Sequence, residues 1–173
     1  MAKDIILHTI GKVGHAGATY QSMEFVGDTI MSLPMDERIC ISNMAVEAGA
    51  KVGLIPADEK TVAYMEEHGV KDAGQAPRLR ADPDAHYARV LEFDAAKLEP
   101  TVACPHEVDN TCTVREKAGL HVDQVYIGSC TGGRLSDLMA AAEILKGKHV
   151  ADGCRLLISP ASRLIWNQAS RMG

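Results

Sequence analysis

Apolar residues recur at helical intervals over much of the first half of the chain. The stretch DIILHTIG is compatible with a short helix or a strand that ends at Gly11, and the glycine-rich KVGHAGATY after it predicts a loop. In SMEFVGDTIMSLP, apolar residues at helical spacing predict a helix that stops at Pro34. The first stretch therefore stays open between helix and strand, and the second is expected to be a helix.

A longer helical pattern follows Pro34. Asp36 is a suitable N-cap, and the small and apolar residues from Glu37 to Ala50 predict a tightly packed helix before the short strand KVGLIP. The next stretch, ADEKTVAYMEEHGV, alternates acidic and apolar positions between an N-cap at Asp58 and a C-cap at Gly69. That pattern is typical of an amphipathic surface helix.

The middle of the chain is more polar and less periodic. Residues 71–86, which include Pro77, predict a loop, and RVLEFD predicts a strand. The stretch CPHEVDNTCTVREKAGLH is irregular, so we expect a boundary there. Residues 1–103 would form a first α/β subdomain, 104–120 an irregular connection, and 121–173 the start of the next α/β subdomain.

The remainder of the chain alternates between two kinds of pattern. DQVYIGS and CRLLISP read as strands, whereas RLSDLMAAAEILKGK and ASRLIWNQASRMG read as helices. Parallel strands need a long crossover connection, usually a helix, so this order predicts a parallel sheet covered by helices. The fold class is therefore expected to be α/β.

Composition narrows the possible functions. The hydrophobic fraction of 46% and the charged fraction of 24% are ordinary for globular proteins, and the net charge of −5 argues against a nucleic-acid binder. No apolar run is long enough to span a membrane and no signal peptide is recognisable, so we expect a cytoplasmic protein. The 5 cysteines include no C-x-x-C pair, and their odd number argues against a disulfide framework.

The segment IGSCTGGRLSD contains the first candidate for chemistry. Cys130 lies where a predicted parallel strand ends and a helix begins, an edge at which α/β proteins often bind ligands. A helix N-terminus also favours a thiolate, which would act as a nucleophile or a metal ligand. The pattern alone supports equally well a Cys130 that only fills space. The spacing excludes phosphatase-type, Walker-type and dinucleotide-binding loops.

A second candidate is SNMAVEAG. Asn43 and Glu47 are four residues apart, so on a helix they share one face. A partly buried, partnered Glu47 beside Asn43 can orient water or a substrate hydroxyl, but the spacing alone favours an ordinary surface carboxylate. Cys104, His106 and Cys112 do not have a familiar zinc spacing, and we expect no zinc site there.

Several segments of the sequence resemble the aconitase superfamily. In family order they are DIILHTIGKVGHAGATYQSMEFVG, ICISNMAVEAGAKVGLIP, DPDAHYARVLEFDAAKLEPTVACPH, VYIGSCTGGRLSDLMAAAEILKGKHV and LLISPAS, which together cover nearly the whole chain. Within the superfamily they are most similar to the branch of 3-isopropylmalate dehydratase and homoaconitase large subunits. The resemblance implies a three-layer α/β/α fold with a mostly parallel sheet, and a chain that is a fragment of a large subunit.

The resemblance also implies a [4Fe–4S] hydro-lyase. Three thiolates hold three irons, and the fourth iron acts as a Lewis acid on the substrate. The implied reaction isomerises 2-isopropylmalate and 3-isopropylmalate in leucine biosynthesis, with homoaconitase or another malate-type hydro-lyase as the alternative. By position, Cys130 matches the first cluster ligand, Asn43 a cluster contact, and Glu47 the glutamate near the water or hydroxyl on the iron. The implied partners are a small subunit with the swivelling domain and a hydroxy-diacid substrate.

The sequence departs from the family pattern in two respects. Gly132 replaces an asparagine that family members often have after the Gly-Ser-Cys-Thr motif. The C-x-x-C with the other two cluster ligands, the base serine and the substrate-recognising arginine lie outside this sequence. We therefore expect the isolated chain to lack an intact cluster and to be inactive. A cluster-free binding or interaction module is the alternative from another functional class.

Overall fold

A computed structural model describes residues 1–75 and 79–173, so the loop predicted over residues 71–86, Pro77 included, lies partly outside the described residues. The chain divides into two units, Met1–Thr113 and Val114–Gly173. The helices are α1 Ala2–Val13, α2 Asp28–Ser32, α3 Met35–Met44, α4 Glu59–Glu67, α5 Leu135–Leu145 and α6 Arg163–Met172. The strands are β1 Ser22–Glu24, β2 Val52–Leu54, β3 Thr101–Ala103, β4 Thr111–Thr113, β5 Gln124–Gly128 and β6 Arg155–Ser159.

Within the described ranges, the strands form three two-stranded sheets. β1 pairs with β2 in parallel, β3 with β4 in antiparallel fashion, and β5 with β6 in parallel. The α/β class with mainly parallel pairing is therefore confirmed. The same part of the chain has no helix with the length and apolarity needed to cross a membrane.

The core of the first unit lies between α1 and α3. Ile6 and Ile10 are one helical turn apart on α1, and they are fully buried together with Ile41 of α3. Burying each such side chain stabilises the fold by about 1.5–3 kcal/mol. The first stretch is thus a helix, and it continues past Gly11 to Val13. Position 11 is a glycine because a Cβ there would collide with the Thr111 side chain of β4.

Two of the predicted helices are shorter than expected. The stretch around Met23 belongs to β1, because its backbone pairs with β2, and only Asp28–Ser32 is helical. The residue at the N-cap of α3 is Pro34, so the prediction of Asp36 as N-cap is wrong. The α-helical conformation ends at Met44 and continues as a 3₁₀ helix over Ala45–Ala48, where Ala45 and Ala48 are fully buried.

The helix α4 begins as predicted. The Asp58 carboxylate accepts the backbone N–H of Thr61 at 3.1 Å, which confirms its role as N-cap. At the other end the C-cap is His68, and Gly69 follows it with a φ of 84°. Glycine adopts this left-handed conformation at little cost, so it terminates the helix from the position after the cap.

The segment between residues 89 and 113 differs from expectation. RVLEFD is not a strand. Phe93 instead packs edge-on against His8 of α1, with ring centroids 5.1 Å apart. The stretch predicted as irregular contains β4, and a 3₁₀ helix covers Val114–Lys117. β4 forms because the chain reverses direction after β3, so that the backbones of the two strands pair.

The second unit follows the predicted order of strand, helix, strand and helix. β5 and β6 pair from Gln124↔Arg155 to Gly128↔Ser159, and α5 is the crossover between them. Ser162 caps α6 by accepting the backbone N–H of Ile165 at 3.2 Å. The carboxyl ends of both strands consequently lie at the same edge of the sheet.

Gly53 of β2 lies against the end of α3. A Cβ at Gly53 would come within 2.8 Å of both the Ala45 Cβ and the Ser42 carbonyl oxygen. Gly53→Ala should therefore destabilise the first unit by about 1–3 kcal/mol through overpacking, as measured by urea unfolding. Gly74→Ala is the matched control, since its Cβ would meet only Val62, at 3.8 Å. Equal losses in the two variants would contradict this packing.

A histidine–aspartate contact ties the loop between β3 and β4 to the turn after α1. The backbone N–H and the ring Nδ1 of His15 both lie 2.8 Å from the Asp109 carboxylate. The side-chain hydrogen bond and the negative charge of Asp109 raise the pKa of His15 above its ordinary 6.5. The contact therefore stabilises the fold fully below that pH, and the gain is lost as the pH rises through the folded-state pKa.

An NMR titration of the imidazole signals tests this contact. We expect His15 to titrate above 6.5 in the native chain and to move back towards 6.5 in Asp109→Asn, which keeps the shape but not the charge. An unchanged His15 titration in that variant would contradict the pairing.

Candidate functional site

Cys130 lies at the carboxyl end of β5, in the turn that leads to α5. Its side chain is exposed and is not part of a disulfide. Ser129, directly before it, has a φ of 72°, a left-handed conformation that is uncommon for a residue other than glycine. Such conformations often accompany functional sites. An exposed thiol does not fill space in a core, so the structure disfavours the space-filling interpretation.

The turn that carries Cys130 is supported by the turn after β6. Gly133 is buried there, and a Cβ on it would lie 2.7 Å from the Ser159 carbonyl oxygen and 2.9 Å from the Ala161 nitrogen. The Gly133 carbonyl oxygen accepts the Ala161 N–H at 2.8 Å. Only a glycine allows this approach of the two turns. The sequence alone suggested that glycines in this turn allow close approach of the backbone. The contact of Gly133 with the turn after β6 arises because β5 and β6 are paired.

A carboxylate of the chain itself, that of Asp137, lies in the first turn of α5. The Asp137 carboxylate accepts the backbone N–H of Arg134 at 2.9 Å. A carboxylate in the first turn of a helix interacts favourably with the positive end of the helix dipole. The thiol of Cys130, rather than the helix end, is therefore the main candidate for ligand binding in this turn.

Asn43 and Glu47 lie on either side of the junction between α3 and the 3₁₀ helix. Both side chains are exposed, which agrees with the surface carboxylate that the spacing alone favoured for Glu47. Met44, Ala45 and Ala48 take the buried positions around them, because the close packing of this segment uses its small and apolar residues. Asn43 and Glu47 consequently face outward from a segment whose other side is held in the core.

The backbone at the end of this segment is well anchored. The Ala18 N–H donates to the Ala48 carbonyl oxygen at 2.9 Å. Gly49 follows with a φ of 82°, and a Cβ on it would lie 2.8 Å from the Thr19 hydroxyl oxygen. These contacts fix the position of the segment that carries Asn43 and Glu47. Sequence reasoning identified the small residues but not this partner turn, which comes from an earlier part of the chain.

The fit of the candidate residues to an iron–sulfur cluster is only partial. Cys130 supplies one exposed thiol, as a single cluster ligand requires. Residues 1–75 and 79–173 contain no group of three His, Cys, Asp or Glu side chains placed to hold a metal ion. Asn43 and Glu47 belong to the first unit and Cys130 to the second. The described residues therefore do not form a complete cluster site.

Comparisons with known proteins identify the same family for both units of the chain. The family model of the aconitase family (aconitate hydratase) matches residues 1–120 and 115–173. The chain is 50% identical over 171 residues to a 3-isopropylmalate dehydratase large subunit of Lachnoclostridium phytofermentans, covering 99% of this chain and 40% of that relative. Identity to the Elusimicrobium minutum large subunit is 52% over 172 residues, with 99% and 41% covered.

A third relative, the 3-isopropylmalate dehydratase large subunit of Acetivibrio thermocellus, is 48% identical over 171 residues, which make up 99% of this chain and 40% of the relative. The chain thus spans about 40% of the length of the curated relatives it matches. Because the family model covers both units, the chain belongs to the aconitase family.

Proposed function

We propose that this chain is part of the large subunit of a [4Fe–4S] hydro-lyase that interconverts 2-isopropylmalate and 3-isopropylmalate in leucine biosynthesis. The observation that carries the proposal is the identity of 48–52% along 99% of the chain to proteins named 3-isopropylmalate dehydratase large subunits. The position of the exposed Cys130 thiol at the carboxyl edge of β5 supports it independently, since ligands of α/β proteins bind at that edge.

The proposed reaction removes a hydroxyl group and a hydrogen from neighbouring carbons and then returns water with the opposite orientation. The cluster supplies a Lewis-acid iron that helps the hydroxyl to leave. Cys130 contributes one thiolate to holding that cluster. Its turn is suited to this role because Gly133 packs against the turn after β6, which limits movement of the Cys130 backbone.

Two further residues of this chain, Glu47 and Asn43, are proposed to contact the substrate and the cluster. The Glu47 carboxyl group would give a proton to the departing hydroxyl and take it back on rehydration, as a general acid and base. The Asn43 amide would donate a hydrogen bond to the cluster. Their exposure and the anchored backbone around Ala48 support these roles, because a proton donor must reach the substrate from a fixed position.

The proposed partners are a small subunit with the swivelling domain and a small hydroxy-diacid substrate. The words "large subunit" in the names of the relatives support a second subunit. We place the enzyme in the cytoplasm with the rest of amino-acid biosynthesis. The isolated chain is proposed to be inactive, because its described residues offer no group of three metal-binding side chains.

A segment exchange tests the proposed function. Residues 1–173 replace the matching segment of the Elusimicrobium minutum large subunit, which is purified anaerobically with its own small subunit. We expect the hybrid to convert 2-isopropylmalate, whereas the isolated chain does not convert it. A folded, iron-loaded hybrid with no hydro-lyase activity would contradict the proposal.

A further inference from the structure

Two cysteines meet on the β3–β4 hairpin, at some distance along the chain from Cys130. Cys112 lies in β4 opposite Val102, and Cys104 follows the end of β3. The Cys104 N–H donates to the Asn110 carbonyl oxygen at 2.8 Å, so the hairpin pairing continues to Cys104. Side chains two residues apart on paired strands share one face, which places both thiols on the same side of the hairpin.

The two sulfur atoms are in contact. Cys104 Sγ and Cys112 Sγ lie 3.4 Å apart, and both side chains are half-buried. A disulfide needs the sulfurs at about 2.05 Å. Cys104 and Cys112 are diagonal neighbours on the hairpin, and rotation of their side chains is the movement that has to close the remaining gap. Solvent and small oxidants also reach the pair, in contrast to Cys40, which is buried in the core.

We propose that Cys104 and Cys112 are an oxidation site that forms a reversible disulfide with hydrogen peroxide. One thiolate attacks a peroxide oxygen, the O–O bond breaks, and a sulfenic acid and one water result. The second thiol attacks the sulfenic sulfur, the S–S bond forms, and the second oxygen leaves as water. Together the thiols lose two electrons and two protons, and the peroxide is reduced to two waters. A dithiol reductant reverses the reaction by thiol–disulfide exchange.

The disulfide would close the segment between the two cysteines, which includes Asp109. Since the Asp109 carboxylate holds His15 at 2.8 Å, the cross-link would constrain the loop that is tied to the end of α1. The inference concerns a different place from the proposed cluster ligand and does not depend on the proposed function.

Peptide mapping of the 173-residue chain tests the proposal. The reduced protein is treated with hydrogen peroxide, blocked with N-ethylmaleimide and digested with trypsin. Cleavage after Lys97 and Arg115 puts both thiols in one peptide, residues 98–115. We expect that peptide to be unalkylated and two hydrogens lighter, and to accept two alkyl groups when dithiothreitol precedes blocking. Full alkylation after peroxide, or a cross-link from this peptide to another cysteine, would overturn the proposal.

Two further measurements test whether the fold brings the two thiols together, or whether their closeness in sequence is enough for them to react. Cross-linking should be about tenfold or more faster in the folded chain than in guanidinium chloride, since only the fold holds the sulfurs in contact. Equal rates would overturn the proposal. One equivalent of phenylarsine oxide, which binds paired thiols, should protect Cys104 and Cys112 from alkylation. Cys112→Ser should lose that protection and Cys154→Ser should keep it; the reverse result would contradict the pairing.

Discussion

Replacing Cys130 by serine in the hybrid large subunit is expected to abolish cluster retention and hydro-lyase activity. A serine hydroxyl is not ionised at neutral pH and is a poor ligand for iron in a sulfide cluster, whereas a thiolate is the usual one. Groups that only hydrogen-bond to metal ligands are worth about 10–100-fold in metal affinity or activity, so loss of a ligand should cost at least about 100-fold. Iron content, visible absorbance and turnover of 2-isopropylmalate measure the effect.

Cys154→Ser is the matched control for this experiment. Cys154 is a half-buried cysteine of the same unit, directly before β6, and it does not lie in the turn that carries Cys130. The control should retain both iron and turnover. If Cys130→Ser kept iron and activity at the level of Cys154→Ser, Cys130 would not be a cluster ligand. The assignment of the chain to the family would be unaffected by that outcome.

Arg38→Met is expected to cause the largest loss of stability among the substitutions considered for the first unit. The Arg38 guanidinium is buried, with Nη2 2.7 Å from the Asp58 carboxylate, and its Nε donates to the Leu33 carbonyl oxygen at 3.0 Å. Without it, the Asp58 carboxylate loses its charged partner, and the Leu33 carbonyl oxygen keeps only the Lys60 ammonium, 3.4 Å away. Breaking a buried ion pair from one side costs about 3–5 kcal/mol, which urea unfolding would detect.

Two variants test whether the loss of stability in Arg38→Met comes from breaking the ion pair with Asp58. Lys60→Met removes an exposed cation that donates to the Ser32 carbonyl oxygen at 2.6 Å, and it should cost at most about 1 kcal/mol. Asp58→Asn removes the charge but keeps a good N-cap for α4. In the Arg38→Met background, Asp58→Asn should restore part of the stability. Strict additivity of the two substitutions would contradict direct coupling.

The same pair determines a pH dependence. The hydrogen bond from Arg38 is the main reason that the pKa of Asp58 falls from 3.8 to about 2. A carboxyl group with a lowered pKa stabilises the fold above its unfolded pKa, and the gain is lost as the pH falls through the folded value. Unfolding measured between about pH 4 and pH 2 should show a loss of about 1–2 kcal/mol. The loss should be smaller in Arg38→Met, where only the hydrogen bonds from Thr61 still lower the pKa of Asp58.

The sequence alone determined those features that depend on short-range patterns. Alternation of strand and helix patterns predicted β5, α5, β6 and α6 and their parallel pairing, because a crossover helix permits little else. Asp58 was recognisable as an N-cap because it acts on a backbone N–H three residues away. Cys130 was identifiable from its place between a strand and a helix, and the ordered motifs indicated the family that comparison then showed.

Tertiary structure decided the features that depend on contacts between distant parts of the chain. The residues Ser22–Glu24 have helical spacing but form a strand, because Val52–Leu54 offers backbone partners. RVLEFD has strand spacing but remains irregular. The contact of Cys104 with Cys112 arises in the same way, from a hairpin register. Local pattern sets which conformations a segment prefers, but a strand is stable only when another segment satisfies its backbone hydrogen bonds, and only the folded chain supplies that segment.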